Sequence, residues 1–184
     1  MSEAKRTRRE LLRRGATASA VGRGDAALLV SLLHVEQVIV IAYERALATG
    51  LLAPPAQTVV SSFLEHERTH VRALSARVVS LGGAVPPAPA MPSAFESELR
   101  RLRVKRTLAE LRTERQYVRF LIELETVIAH HYRYAIARLN AGRLLTAAAE
   151  IMANEAQHMA ILREVLSPGN VKRAVPTGFV AGVT

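Results

Sequence analysis

The chain has 184 residues, of which 49% are hydrophobic but only 4% aromatic, and it has no cysteine. That length suits one domain with a core large enough to stand without staples, and the lack of thiols excludes disulfides, iron–sulfur clusters, thiolate zinc sites and cysteine nucleophiles. The formal charge of +9 comes from residues 1–14 (+4), residues 93–107 (+3) and Lys172 with Arg173 (+2), so the rest is neutral and no dedicated basic face argues for nucleic acid.

In chain order, "TRRELLRR" (Thr7 to Arg14) resembles a twin-arginine export pattern. The apolar stretch behind it, "GATASAVG", is short and is interrupted by Arg23 and Asp25. Residues 1–24 therefore read either as a truncated export signal or as a basic amphipathic arm. The first reading implies twin-arginine export, the second a cytoplasmic protein, which is favoured.

From Asp25, a suitable N-cap, apolar residues recur at intervals of three and four as far as Thr49, and Gly50 ends the helix. Leu28 to Ala42 is apolar enough to raise the question of a membrane span. It holds Ser31, His34, Glu36 and Gln37, however, and one charge near mid-membrane costs about 3 kcal/mol. A buried bundle helix is expected, and no transmembrane helix.

A second helix starts at Pro54 and Pro55 and ends at "LGG", Leu81 to Gly83. "AVPPAPAMPS" then rules out both helix and central strand. Ser93 with Glu96 has capping-box spacing for a short arginine-rich helix. Thr107 with Glu110 repeats that spacing and opens a third long helix, which runs to about Leu139 before "NAG". A fourth spans about Arg143 to Leu166 and stops at "SPG". Residues 167–184 remain as an extended tail, with Phe179 a candidate to dock on the bundle.

Short links join helices one to two and three to four, which makes each pair an antiparallel hairpin. The link over residues 83–107 is long enough, at about 3.1 Å per residue, to return along a helix rising about 1.5 Å per residue. The expected fold is all-α. Residues 25–166 form a four-helix bundle of two antiparallel hairpins joined by one long crossover.

The two hairpins repeat each other. "LLHVEQVIVIAYERAL" (Leu32 to Leu47) set over "LIELETVIAHHYRYAI" (Leu121 to Ile136) gives six identities in sixteen, with Glu36 on Glu125 and Tyr43 on Tyr132 at an offset of 89. "FLEHERTHVRAL" set over "IMANEAQHMAIL" puts Glu67 on Glu155 and His70 on His158 at an offset of 88. The pattern implies an internal duplication with a pseudo-twofold relation.

A single Glu-x-x-His pair on a helix is weak evidence, because such pairs are common on solvated faces. The set is stronger. A dinuclear carboxylate site in a helix bundle takes one glutamate from each of two helices and a Glu-x-x-His from each of the other two. Glu36, Glu67 with His70, Glu125, and Glu155 with His158 fill all six positions in order. Glu36 and Glu125 each interrupt an apolar stripe, and burying four carboxylates without a cation costs several kcal/mol per charge. Two divalent cations would neutralise them, and a carboxylate and imidazole set without sulfur suits iron first, then manganese or zinc.

With these residues the chain resembles the ferritin-like superfamily over about residues 25–166. "LEHERTHVRALSARVVSLGG", "MANEAQHMAIL", the export-like start and "VPTGF" are similar to bacterial ferritin-like proteins whose members often carry export signals. The resemblance implies bridging roles for Glu67 and Glu155, terminal roles for Glu36 and Glu125, and one histidine per metal. It also implies two metal ions per chain and redox handling of Fe(II), O2 or peroxide, of ferroxidase or peroxidase type. The proline-rich crossover, the missing rubredoxin-like cysteine module and the absence of a recognisable cage-forming surface depart from storage ferritins.

Tyr43 and Tyr132, two turns beyond Glu36 and Glu125 on the same faces, read as core aromatics with a satisfied hydroxyl that can hydrogen-bond the ligand glutamates or histidines, with a redox role at the metals as the alternative. His34, His66, His130 and His131, with Glu65, Glu123 and Glu150, fall off the ligand face and are expected to face water or the boundary. Two other function classes are carried: a non-catalytic ferritin-like structural or interaction module, and a DNA-protecting basic ferritin-like protein. A homo-oligomer such as a dimer is also compatible with the sequence.

Overall fold

The computed structural model describes residues 8–176, with side chains from residue 22 onward, so the side chains of the export-like stretch, and Phe179, lie outside the described residues. The described residues form six α-helices and one 3-10 turn, with no strand. In order these are α1 (Arg8–Ala48), α2 (Pro54–Ser80), α3 (Pro92–Arg101), the 3-10 turn (Leu108–Glu110), α4 (Glu114–Ile136), α5 (Gly142–Leu166) and α6 (Val171–Ala174).

The expected punctuation holds where it is purely local. α2 begins on Pro54, whose missing N–H is an orphan of the first turn anyway. It ends with Gly82 at φ 76°, where the amides of Gly82 and Gly83 donate to the carbonyls of Val79 and Val78 at 2.9 Å. A side chain at Gly83 would put its Cβ 2.9 Å from Val78 Cγ1, so the chain could not leave the helix this closely with any other residue.

Four expectations are corrected. α1 is helical well before Asp25, so Asp25 is not its N-cap. α3 starts at Pro92 with no side-chain cap. Ser93 lies inside it, and Glu96 Oε1 instead accepts from the amide of Leu108 at 3.1 Å. The Thr107–Glu110 capping box forms but opens only the 3-10 turn. Leu111 returns to extended backbone, and a second box, Thr113 with Gln116, starts α4. Both boxes satisfy the same local rule, and only the second is followed by a continuous apolar stripe that can be buried. Finally, the tail beyond Leu166 is not wholly extended: Asn170 Oδ1 accepts from the amide of Arg173 at 3.1 Å and caps α6.

α1 packs on α2 and α4, and α5 packs on α4 and α2. One core cluster runs through these helices, from Leu29, Leu32 and Leu33 of α1 to Leu121, Leu124 and Ile128 of α4 and Leu162 of α5. α3 adds Phe95 and Leu99 to it. Arg45 covers the Phe95 ring at 4.5 Å, and His34 Nε2 lies 3.0 Å from Glu98 Oε2. The link around α3 is strapped down at further points. Gln37 Nε2 donates to the Pro86 carbonyl at 2.9 Å, and Glu123 receives the Lys105 amide at 2.7 Å and Arg106 at 3.0 Å. Glu123, expected at the water-facing boundary, thus clamps this link.

Gly22–Ala48 is long and apolar enough to cross a membrane, yet 56% of its most apolar window is buried inside the protein. Glu36 and Gln37 are buried within that segment. These properties are those of a core helix carrying polar groups inward.

Asp25 is almost fully buried at 2% exposure. Its Oδ1 accepts from the amide and side chain of Asn140 at 3.0 and 3.1 Å, and its Oδ2 accepts from the Ala141 amide at 3.1 Å. Ala141 is the N-cap residue of α5 and has no side-chain acceptor of its own, so α1 caps α5 from across the fold. At the opposite position Glu114, the first residue of α4, accepts from the amide of Ala53, the N-cap of α2, at 2.5 Å. Burial pushes the Asp25 carboxyl up, but the Asn140 and Ala141 donors outweigh it and hold it below the usual range. A depressed carboxyl contributes stability above its unfolded pKa of about 3.9 and loses it as pH falls through the folded value. Asp25→Ala is expected to lower unfolding free energy by roughly 1–3 kcal/mol at neutral pH. In urea titrations its deficit relative to wild type narrows below about pH 4.

Candidate metal centre

Each site residue is aimed inward by its helix. Glu36 follows Leu29, Leu32 and Leu33 and precedes Ile39 and Tyr43 on the buried face of α1, all at 1% exposure or less. Glu125 sits likewise among Leu121, Leu124, Ile128 and Tyr132 on α4. The three-residue spacing on α2 and α5 places glutamate and histidine on adjacent turns of one face. Glu36, Glu67, Glu125 and Glu155 are all at 0% exposure, His158 at 1% and His70 at 8%.

The six side chains converge. His70 Nδ1 lies 2.9 Å from Glu155 Oε1, 3.4 Å from Glu67 Oε2 and 3.7 Å from Glu36 Oε2. His158 Nδ1 lies 2.9 Å from Glu67 Oε1, 3.1 Å from Glu155 Oε2 and 3.5 Å from Glu125 Oε1. Two groups of donor atoms result, each within 4.8 Å: Glu36, Glu67, His70 and Glu155, and Glu67, Glu125, Glu155 and His158. Glu67 and Glu155 belong to both.

Tyrosines hold the two outer glutamates reciprocally. Tyr43 of α1 donates to Glu125 Oε1 of α4, and Tyr132 of α4 donates to Glu36 Oε1 of α1, both at 2.5 Å. Each tyrosine occupies one carboxylate oxygen and leaves Oε2 buried with no hydrogen bond. Glu67 Oε1, both Glu155 oxygens and His158 Nδ1 are likewise buried without a well-directed bond. Their neighbours lie at ion-pair distance without the alignment that a hydrogen bond needs. So many orphaned acceptors in one place would each carry a desolvation penalty. A cation among them removes it, so the donor set fits metal ions, and its all-oxygen and nitrogen chemistry suits first-row divalent cations.

The electrostatics reflect the crowding. Burial pushes Glu36 and Glu125 well above the usual carboxylate range, and the charges of Glu155 and Glu67 push further in the same direction. Burial also acts to raise Glu155, but the His158 and His70 imidazoles at ion-pair distance overcome it and hold the group down at about 2. For the imidazoles burial opposes charge, yet Glu155, Glu36 and Glu67 push His70 up to about 12, and Glu125, Glu155 and Glu67 push His158 up to about 11. Burial, then the facing carboxylates, raises Tyr43 and Tyr132 well above the phenol range, so both remain donors.

One expectation about the surroundings is corrected. Glu65 is exposed and pairs with Arg68 at 2.5 Å, as its position on α2 implies. His66 is also exposed, but its ring reaches across to α5, where Nδ1 lies 3.0 Å from His158 Nε2. Phe63 stacks on His158 with centroids 4.1 Å apart. No spacing along α2 signals either contact, because both are made between helices. His130 is exposed, and His131 Nδ1 bonds the Val127 carbonyl at 2.9 Å.

No curated protein and no solved structure matches the chain. The model of the ferritin-like domain matches residues 24–168, which include both donor groups and all four long helices from Gly24 onward, and the chain therefore belongs to the ferritin-like family.

Proposed function

We propose that the protein binds two metal ions, iron in the first place, and handles Fe(II), O2 or peroxide as a ferritin-like ferroxidase or peroxidase. The observation that carries this reading is the pair of donor groups sharing Glu67 and Glu155, with unpaired carboxylate oxygens on all four glutamates. Glu67 and Glu155 would be shared between the two ions, Glu36 with His70 would complete the set for one, and Glu125 with His158 the set for the other. When bound, the metals supply electron transfer and Lewis acidity toward oxygen or peroxide. The chain's own residues do the rest. The Tyr43 and Tyr132 hydroxyls fix the outer carboxylates so that one oxygen of each faces the centre, and the surrounding Leu, Ile and Phe side chains keep bulk water out.

The same contacts support a finer architecture. In this reading α1, α2, α4 and α5 make a four-helix bundle of two antiparallel hairpins, with α3 and the 3-10 turn on the crossover. The two tyrosine–glutamate contacts run in opposite senses along α1 and α4, as antiparallel neighbours require. Asp25 with Ala141 and Glu114 with Ala53 add a second reciprocal pair at the same 89- and 88-residue offsets, as an internal duplication would.

The test is metal content and turnover of the full chain. Reconstitution with Fe(II) is expected to give about two irons per chain and peroxide- or O2-dependent Fe(II) oxidation. Two bound metals without oxidation would favour a non-catalytic ferritin-like module. A chain that takes up no transition metal rejects the dinuclear reading.

A further inference from the structure

The two donor groups are related by the sequence repeat, but their histidines are held differently. His158 is held on two sides: Phe63 stacks on its face at 4.1 Å, and His66, nearly parallel with centroids 5.3 Å apart, meets its edge, where His66 Nδ1 sits 3.0 Å from its Nε2. The repeat mates of Phe63 and His66 are Ile151 and Asn154, 88 residues on. Neither reproduces the arrangement at His70. Ile151 has no ring, and Asn154 Nδ2 turns toward Gln157 Oε1 of its own helix at 3.5 Å. Among the described residues, the ion-pair and ring contacts of His70 are those of its Nδ1 with the carboxylates and a distant approach to the His158 ring at 6.3 Å.

A histidine bound to a metal through Nδ1 carries its proton on Nε2 and donates it outward, and that outer partner fixes both tautomer and ring orientation. His66 Nδ1 is where such an acceptor belongs for His158. A ligand already locked in its binding orientation loses less rotational freedom when the cation arrives.

We propose that His66 is a positioning residue that makes the two metal positions unequal. The position formed by Glu67, Glu125, Glu155 and His158 is preorganised and fills first, and the position formed by Glu36, Glu67, His70 and Glu155 fills second. This rests on the dinuclear reading above. It adds an order of loading that the six-residue pattern alone does not contain, since that pattern is symmetric.

The experiment is an anaerobic calorimetric titration of the metal-stripped full chain with Co(II), followed in parallel by visible absorption. Wild type is expected to bind in two steps, with His158→Ala losing the tighter and His70→Ala the weaker. His66→Phe keeps an aromatic ring beside His158 but cannot accept a hydrogen bond, and it is expected to weaken the tighter step by about 10- to 100-fold. His66→Asn, whose Oδ1 replaces Nδ1 as acceptor, is expected to restore most of that loss. Because His66 is exposed, unfolding is not expected, and circular dichroism of each variant checks it. Two equal steps in wild type, or a His66→Phe titration that matches wild type, overturns the inference and leaves the dinuclear reading standing. Absence of Co(II) uptake by wild type overturns both.

Discussion

Glu155→Ala is expected to abolish metal binding at both positions, whereas Glu36→Ala empties one and leaves the other. The difference follows from group membership: Glu155 and Glu67 belong to both donor groups, Glu36 and Glu125 to one each. Glu155 has a second role, since His70 Nδ1 and His158 Nδ1 approach its two oxygens at 2.9 and 3.1 Å. Without it His70 loses its nearest carboxylate and His158 its second nearest, in a nearly dry interior. Breaking such a buried pair typically costs about 3–5 kcal/mol, so Glu155→Gln, which keeps the volume, is the companion variant.

Loss of a partner one bond removed from a metal typically weakens binding by about 10- to 100-fold, and loss of a shared ligand is expected to exceed that. Elemental analysis after loading and desalting reads the result directly: about two metals per chain in wild type, one in Glu36→Ala, and none in Glu155→Ala or Glu155→Gln. Equal losses in Glu36→Ala and Glu155→Ala would mean that Glu155 is not shared.

The features legible in the sequence are those written along one helix. Glu36 on an apolar stripe, the Glu-x-x-His pairs and the proline and glycine stops of α2 all depend on the 3.6-residue period or on backbone preferences within a few residues. The tyrosine contacts were also foreseeable, because a seven-residue spacing returns Tyr43 and Tyr132 to the faces of Glu36 and Glu125. Each tyrosine in fact serves the glutamate of the other helix, which periodicity does not encode.

The readings that failed share a cause. Asp25 has the composition of an N-cap, and it does cap a helix, but that helix is α5, 115 residues away. Thr107 and Thr113 each form a capping box, and local chemistry does not say which one opens a long helix. His66 points off the ligand face of α2 and still reaches the site, because α5 brings His158 to it. For Asp25 and His66 the partner stands on another helix, and the choice between Thr107 and Thr113 depends on which following stretch is buried, so none of the three is written within one helix.

Metal loading is expected to raise the melting temperature by roughly 10–20 °C. A ligand that binds only the folded chain stabilises it by about 2.7 kcal/mol when present at 100 times its dissociation constant. Two positions then give about 5 kcal/mol, and a chain of this size shifts by about 2–4 °C per kcal/mol. A large effect is expected here because the buried oxygens of Glu36, Glu67, Glu125 and Glu155 that lack hydrogen bonds find a partner in the cation. Charge that would otherwise be held in the core by protons on His70 and His158 is then balanced directly.

The measurement is a pair of thermal scans at fixed protein concentration, one with chelator and one with excess Co(II), repeated for Glu155→Gln. The shift is expected to disappear in the variant, which separates specific loading from a general effect of divalent ions on a basic protein. A shift of the same size in both would place the cation elsewhere. An unchanged melting temperature in wild type at saturating Co(II) would mean that the six side chains gain nothing from a metal, and their convergence would then be a structural ion-pair network.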